Sequence, residues 1–568
     1  MAKKKNAVPP LERPATPPPV ARPSTILAWL NRHSLVCAIG LVLLATVRIA
    51  ATYTVFNHTY DEPAHIACGM EWLDRGTYTW EPQHPPLSRV AVALGPYLLG
   101  IRAPELPKGN TPIFLEGREI LDSGHHYDLT LALARAGILP FFWIACAVVF
   151  WWGRRYFSPA IGVAALALFS FLPTILAHAG LATTDMALTA FLSATFLCGM
   201  IWLEEPTPRH AIWFGASAGL MVLSKFSCLV FLPAAAALAL VWYYIDERPS
   251  LAQLGRGIWQ RLPQLGMAVG IALLIIWTGY RFSFGKVYFS DVHLPFPELF
   301  AGIKQVMAHN TEGHSGYLLG ERRITGFWYF YEVALAVKTP LAFLALLGFG
   351  IALAGRRQPG LRRLYAPFCF SVAILVVGAF SHINIGIRHV LPIYVGFSLL
   401  AAVAGVRMIE RGTSRAWIHW TVVGLAAWFG ASSLLSHPDY LPYFNLLAGS
   451  QPEKILVDSD LDWGQDLKRL GARLRAVHAP DVAFVSSIVA DLQGEFGFPK
   501  TKGFRPAVPV PGWNAVSVTM WKELRLGLGE SYIDAPLWPD AYMKRLGDPT
   551  VPQPERIGKG ILLWYFPE

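Results

Sequence analysis

The sequence predicts a multi-spanning, all-α membrane protein with a small α+β region at its C-terminal end. Three observations predict it. Hydrophobic residues make up 54% of the 568 and charged residues only 15%, with a mean hydropathy of +0.39; a soluble chain carries nearer a quarter charged residues. The apolar residues come in blocks of about 20, the length that crosses a bilayer core. After about residue 435 the blocks stop, and Pro, Gly, Trp and charges of both signs take over.

The N-terminal stretch "MAKKKNAVPPLERPATPPPVARPS" is basic and then Pro-rich. Such Pro density prevents helix and core formation, so residues 1–33 are predicted to be a disordered cytoplasmic tail. Lys3 to Lys5 lie too far from the first apolar block for a signal peptide, and no small-residue cleavage site follows Phe56. Eleven spans follow, at about 34–56, 132–152, 160–178, 186–203, 211–224, 227–245, 265–283, 340–355, 366–382, 391–407 and 417–435. The stretch 211–245 is too long for one span and is divided at Lys225. With the N-terminus inside, every inner segment is basic: Lys3, Lys4, Lys5, Arg13, Arg22 and Arg32; Arg154 and Arg155; Arg209; Arg248, Arg256 and Arg261; Arg356, Arg357, Arg362 and Arg363; Arg407, Arg411 and Arg415. The odd number of spans puts the C-terminus outside.

Residues 34–435 therefore form the transmembrane domain, with two large outer loops, 57–131 and 284–339. In the first loop, "HIACGMEWLDRG" and "LSRVAVALGPYLLG" are expected as helices lying on the bilayer surface. Residues 436–568 form an extracytoplasmic soluble domain. "DVAFVSSIVADL" and "GILLWYFP" read as strands and "DWGQDLKRLGARLRAV" as an amphipathic helix. The net charge of +10 is distributed between apolar blocks and not along one face with interleaved aromatics. It sets topology, and no nucleic-acid partner is implied. The last third of the chain has no cysteine, which excludes a disulfide framework there.

The candidate chemistry lies at the outer ends of the spans. Asp61 and Glu62 stand side by side where the first span ends, in "NHTYDEPAH". Two such acids are often only a solvated helix cap. A long loop follows, however, and its "EPQHPPLSRV" carries His84 on a stiff double-proline turn. Asp185, in "HAGLATTDMALTAF", sits at the outer junction of two spans. An acid there is a functional candidate by default, and Thr183, Thr184 and Asp185 are also good N-cap residues. Lys225 in "LSKFS", Arg388 and His389 in "SHINIGIRHVLP" and Lys338 in "AVKTP" are cations near the same surface. Each alone reads as a snorkelling side chain. Together they offer what a lipid-linked phosphate needs, cations at headgroup depth with Arg able to grip phosphate bidentately. Arg48, inside the first span, is expected to face the protein and pair with an acid.

"VDSDLDWGQD" begins like a calcium loop with Asp458, Asp460 and Asp462. It then places Trp463 where Gly is required and Arg469 where Glu is required, so a turn and helix cap is the favoured reading. No His pair has zinc-ligand spacing, and no GxGxxG or P-loop occurs. The sequence names no certain cofactor, and a divalent cation stays open.

"YDEPAHIACGMEWLDRG" with "HPPL", then "HAGLATTDMALTAF", "LSKFS" and "IRHVLP", together resemble the membrane glycosyltransferases of GT-C type. That family includes the protein O-mannosyltransferases and the lipid A aminoarabinose transferases. The likeness runs over about 50–435 and on into "YFNLLAGSQPEKILVDSDLDWGQDLKRL". It implies a GT-C fold and a hexosyl or pentosyl transferase of the bacterial inner membrane, acting on the periplasmic side. The donor is a sugar on a polyprenyl phosphate; the acceptor, glycan, lipid or protein, does not carry over. The family's catalytic acid falls on Asp61 and its second acid on Asp185, with Glu62 beside them. Its phosphate-binding cations fall on Lys225 and Arg388; His84 and His389, near the same surface, are read beside them as donor- or phosphate-binding candidates. Loop 284–339 is too short for the β-trefoil of protein O-mannosyltransferases, which counts against protein mannosylation. The alternatives are a secondary transporter and a non-catalytic scaffold of envelope polysaccharide assembly.

Overall fold

A computed structural model of the chain describes residues 25–103, 113–123, 126–355, 359–412, 415–488, 490–523, 526–528, 531–533 and 537–567. Most of the expected N-terminal tail, residues 1–24, lies outside them, as do Arg356 and Arg357 of the expected inner loops.

The first helix, α1 (Thr25–Ala50), begins well before the expected boundary at 34, with a break in helical geometry at His33. Residues 25–33 are therefore helical and not part of a tail. A turn leads to α2 (Glu62–Met70), followed by α3 (Pro86–Leu98), α4 (Ile113–Asp122), α5 (Tyr127–Ala136) and α6 (Leu139–Tyr156). Next come α7 (Pro159–Ser170), α8 (Pro173–Ala179), α9 (Asp185–Glu204), α10 (Pro208–Val222), α11 (Cys228–Glu247) and α12 (Leu251–Gly279). The loop after α12 holds a hairpin of β1 (Phe284–Val287) and β2 (Ser290–Pro295), helix α13 (Pro297–Glu312), and a hairpin of β3 (Gly316–Leu318) and β4 (Glu321–Arg323). The helices α14 (Phe330–Lys338), α15 (Leu341–Ala354), α16 (Tyr365–Gly378), α17 (Ile393–Gly412) and α18 (Ala416–Leu435) complete the membrane part.

Among the described residues seven stretches are long and apolar enough to cross a membrane, and the pair α7 and α8, bent by 69°, makes an eighth if it is one span. The three remaining expected spans are helices of 15, 14 and 14 residues, α10, α15 and α16. Each expected span thus has its helix, but about 1.5 Å per residue leaves these three short of a 30 Å core. The chain is a multi-pass membrane protein. Local chemistry starts its helices: Ser158 and Thr207 cap α7 and α10 with Pro at the first position, and Ser250 with Gln253 makes a capping box on α12. Arg48 is buried as expected, but it donates to Ser433 Oγ at 2.9 Å and Ser433 O at 2.5 Å, lying over Tyr440 and Phe171, and not to an acid. Among the described residues all six cysteines are free.

The surface-helix expectation is corrected for the first of the two segments, whereas α3, in the second, keeps Leu94 and Leu98 exposed. All nine residues of α2 are buried, because α3 and α4 pack directly on it. Gly69 lies against the Arg89 carbonyl and Gly117 against the Pro63 backbone, where a Cβ would collide in either case. These glycines let three short helices close into one packed block.

The C-terminal region forms a five-stranded mixed sheet in the order β10-β11-β7-β5-β6, with β5 (Asp481–Val485), β6 (Lys500–Gly503), β7 (Gly512–Ser517), β10 (Glu555–Ile557) and β11 (Ile561–Phe566). A small hairpin, β8 (Leu526–Leu528) with β9 (Ser531–Ile533), stands apart from it. The period-two pattern of β11 explains the layering. Ile561 and Leu563 pack with Leu467, Leu470 and Leu474 of α19 (Leu467–Ala476). Leu562, Trp564 and Phe566 face Trp538 of α21 (Trp538–Lys544) and Trp521 of α20 (Val518–Glu523).

Candidate active site

Asp61 stands at the N-cap of α2 but makes no capping hydrogen bond. Its carboxylate is turned instead to Arg388, whose Nη1 lies 3.0 Å from Oδ2. Asp185 opens α9, and neither it nor the preceding Thr184 caps that helix through its side chain. Its Oδ1 accepts from Lys225 Nζ at 2.6 Å. Its Oδ2 lies 3.7 Å from Arg388 Nη1 and has no hydrogen-bond partner among the described residues. Lys225 occupies the break between α10 and α11, where the sequence divides 211–245. Arg388 sits on a single 3-10 turn, Ile387–Val390, between α16 and α17.

Four of the residues singled out in sequence thus form one ionic chain, Asp61–Arg388–Asp185–Lys225, drawn from four separate junctions at one face of the bundle. Their exposure differs. Asp185 and Arg388 expose 0% and 6% of their side chains and Lys225 12%, whereas Asp61 exposes 27%. Burial pulls Arg388 toward neutrality, and the adjacent Asp61 and Asp185 outweigh it, raising its pKa further above the ordinary arginine value.

His84 and His389 border the same chain. The "HPPL" turn docks on the end of α10 through Leu87 N–H to Leu223 O at 3.0 Å, two residues before Lys225. Tyr78 donates to the His84 carbonyl at 2.5 Å, and the His84 ring meets His65 edge to face at 5.3 Å. Burial holds His84 below the usual imidazole range against the pull of Glu81. Burial and the charges of Lys225 and Arg388 hold His389 well below it. Both imidazoles are therefore neutral at pH 7 and able to donate or accept.

Glu62 is placed differently. Its side chain is fully buried and accepts from Arg135 Nε and Nη2, each at 2.9 Å, from Ala182 N at 2.9 Å, and from Thr59 N at 2.8 Å. Burial would push this carboxyl up; Arg135 and the two amides outweigh that and hold it below 4.5. Glu62 ties α2, α5 and the start of α9 together, and its lone pairs are spent.

Several residues at the site escape a sequence reading. Arg89 is completely buried, donating to His65 Nδ1 at 3.1 Å and to the Glu81 carbonyl at 2.6 Å while paired with the Glu81 carboxylate. His309 of α13 bonds Gln83 at 2.8 Å and His314 at 3.3 Å, which brings the second outer loop over the first. Trp463 lies under the Arg388 guanidinium, 4.1 Å from its centre. Polar residues next to "HPPL" and inside "DSDLDWGQD" were the available signal for Arg89 and Trp463; α13 gave none. Lys338 is not at the site. It is buried, donates to Leu441 O at 2.6 Å and to the Asp460 carbonyl, and burial pushes it down to about 7.

The acids of the calcium-like segment diverge. Asp460 accepts from Ile387 N, and Asp462 from Gly464 N and Thr519 N, both at 3.1 Å. Among the described residues no three His, Cys, Asp or Glu side chains gather as a metal ligand set.

Comparison with known proteins adds to this geometry. Residues 136–280 match the family model of the dolichyl-phosphate-mannose-protein mannosyltransferases. The matched part holds Asp185 and Lys225. Comparison with curated protein sequences gives no match. Among solved structures the chain is similar to ArnT from Cupriavidus metallidurans bound to undecaprenyl phosphate, at 14% identity and a TM-score of 0.48, over 93% of this chain and 97% of that one. It is also similar to the Archaeoglobus fulgidus oligosaccharyltransferase tethered with an acceptor peptide, at 12% identity and a TM-score of 0.46, over 79% and 57%.

Proposed function

We propose that the chain is a membrane glycosyltransferase that moves a sugar from a polyprenyl-phosphate donor to a nucleophilic acceptor, with inversion at the sugar carbon. One observation carries this reading: a partly exposed carboxylate, Asp61, shares an arginine with a buried acid–lysine pair at the end of a membrane bundle. The match of 136–280 to a family using a lipid-phosphate sugar supports it.

In this reading the donor lies in the bilayer with its phosphate at headgroup depth. Lys225 and Arg388 receive the phosphate oxygens. Arg388 Nη2 makes no hydrogen bond among the described residues and is the donor group left for it. As the phosphate engages Arg388, Asp61 is released from its partner and turns to the acceptor. The acceptor O–H or N–H proton passes to Asp61, its electron pair forms the bond to the sugar carbon, and the carbon–oxygen bond to phosphate breaks with its electrons going to the phosphate. The two cations stabilise that leaving group, so no separate acid is needed. Asp185 holds Lys225 and Arg388 in place, and Glu62, saturated by Arg135, fixes the helix that carries Asp61. His84 and His389 are placed to contact the donor's sugar or phosphate. The Gln83–His309–His314 contact keeps the second loop over the site, excluding water.

The basic ends of α6 and α10 and the Arg362–Glu247 contact lie at the opposite face, which supports a cytoplasmic N-terminus and a site and C-terminal domain on the periplasmic side of the inner membrane. The test is direct. Purified protein incubated with a polyprenyl-phosphate sugar and cell-envelope acceptors should release polyprenyl phosphate and form a glycoside of inverted configuration. Release of neither across protein, lipid A and polysaccharide acceptors would overturn the reading.

A further inference from the structure

The segment Val457–Asp466 touches both halves of the site. On the Asp61 side, Tyr60 N–H donates to Trp463 O at 3.1 Å, Asn57 Nδ2 donates to Gly464 O at 2.7 Å, and Leu467 N–H donates to Asn57 Oδ1 at 2.8 Å. On the Arg388 side, Arg388 Nε donates to Ser459 Oγ at 3.0 Å, and that hydroxyl donates onward to the Ile385 carbonyl. Ile387 N–H donates to both oxygens of Asp460, at 3.2 and 3.3 Å. Gly386 lies against Ser459 Oγ, where any Cβ would collide. The same segment is pinned from behind. Lys338 holds the Asp460 carbonyl, Thr519 Oγ1 accepts from Asp458 N–H at 2.8 Å, and Asp462 caps α20 through Thr519 N–H. Asp458 adopts φ +54°, in the left-handed region uncommon outside glycine.

Two facts make this more than a structural clasp. Arg388 has its Nε on Ser459, its Nη1 between Asp61 and Asp185 and its face on Trp463, so two of these four contacts come from this segment. The segment also belongs to the C-terminal region and not to the membrane helices. It reaches the site as the connection between the bundle and the sheet.

We propose that Ser459 and Trp463 are positioning residues that aim Arg388 at the donor phosphate, so that the C-terminal region is part of the catalytic unit. The Ser459 hydroxyl fixes the guanidinium's rotation about its long axis. The Trp463 ring sets its depth, and together they leave Nη2 facing the place of the phosphate. This rests on the function proposed above, because it assigns the aim of a phosphate-binding group.

The probe is undecaprenyl phosphate in detergent, with binding to the full-length purified protein read by intrinsic tryptophan fluorescence or calorimetry. Ser459→Ala should weaken binding about tenfold while the unfolding temperature stays within about 2 °C of wild type. In an Arg388→Ala background the same change should matter less than about twofold, since a positioning residue has nothing left to position. Trp463→Phe keeps a ring beneath the guanidinium and should weaken binding about threefold. It carries the test should Ser459→Ala not fold, again against Arg388→Ala. Wild-type protein that does not bind the lipid would overturn the proposed function itself. Wild-type binding with losses that simply add in the double variants would overturn the positioning role and leave that function standing.

Discussion

Asp61 and Glu62 are chain neighbours with opposite surroundings. Glu62 is enclosed: Arg135 grips both its oxygens, and two backbone amides use what remains. Asp61 is open: it has one ionic partner, which it shares, and more than a quarter of its side chain faces solvent. A carboxylate with every lone pair satisfied cannot take a proton without breaking a buried network. A carboxylate with one shared partner can. The difference separates a residue that holds the fold from one available for chemistry, and the same test distinguishes Lys338, satisfied by carbonyls, from Lys225, bound to a single acid.

The largest effect that would break this comparison lies on the closed side. Arg135→Ala leaves Glu62 buried and unpaired, a loss of about 3–5 kcal/mol. The variant should unfold at much lower temperature in detergent and be poorly retained in membranes. An unchanged unfolding temperature would mean that the Glu62 pair is not structural. A smaller effect sharpens the same point through pH. The folded-state pKa of Glu62 is lowered from 4.5, so its stabilisation is present above that value and lost as pH falls below it through the folded-state pKa. Glu62→Gln should therefore be less stable than wild type at pH 7, and the difference should shrink on acidification below about pH 4.5. A difference independent of pH would remove the charged pair from the account.

The expected spans were legible because hydropathy is a one-dimensional signal and each block carries it independently. The positions of Asp185, Lys225 and Arg388 were legible for the same reason, as polar breaks in apolar text. Three things were not. The burial of α2 depends on Gly69 and Gly117 meeting backbone from α3 and from α2 itself, contacts that have no local signature. The fate of Glu62 depends on Arg135, 73 residues away, and the same acid reads as catalytic until that partner is known. Ser459 lies 71 residues from Arg388 in a segment whose acid spacing suggests calcium, although its side chains turn to amides and a guanidinium. Sequence periodicity locates candidate groups; which of them are spent on one another is decided by long-range pairing.

The central claim is that Asp61 is free for proton transfer while Glu62 is not, and Asp61→Asn tests it most directly. The substitution preserves shape and removes the proton acceptor. Sugar transfer should fall by about 100-fold or more, the range of general-base assistance, with the unfolding temperature and undecaprenyl phosphate binding near wild type. Transfer at the wild-type rate would contradict the assignment, and a loss of transfer that tracks a loss of folding would place Asp61 among the structural acids beside Glu62.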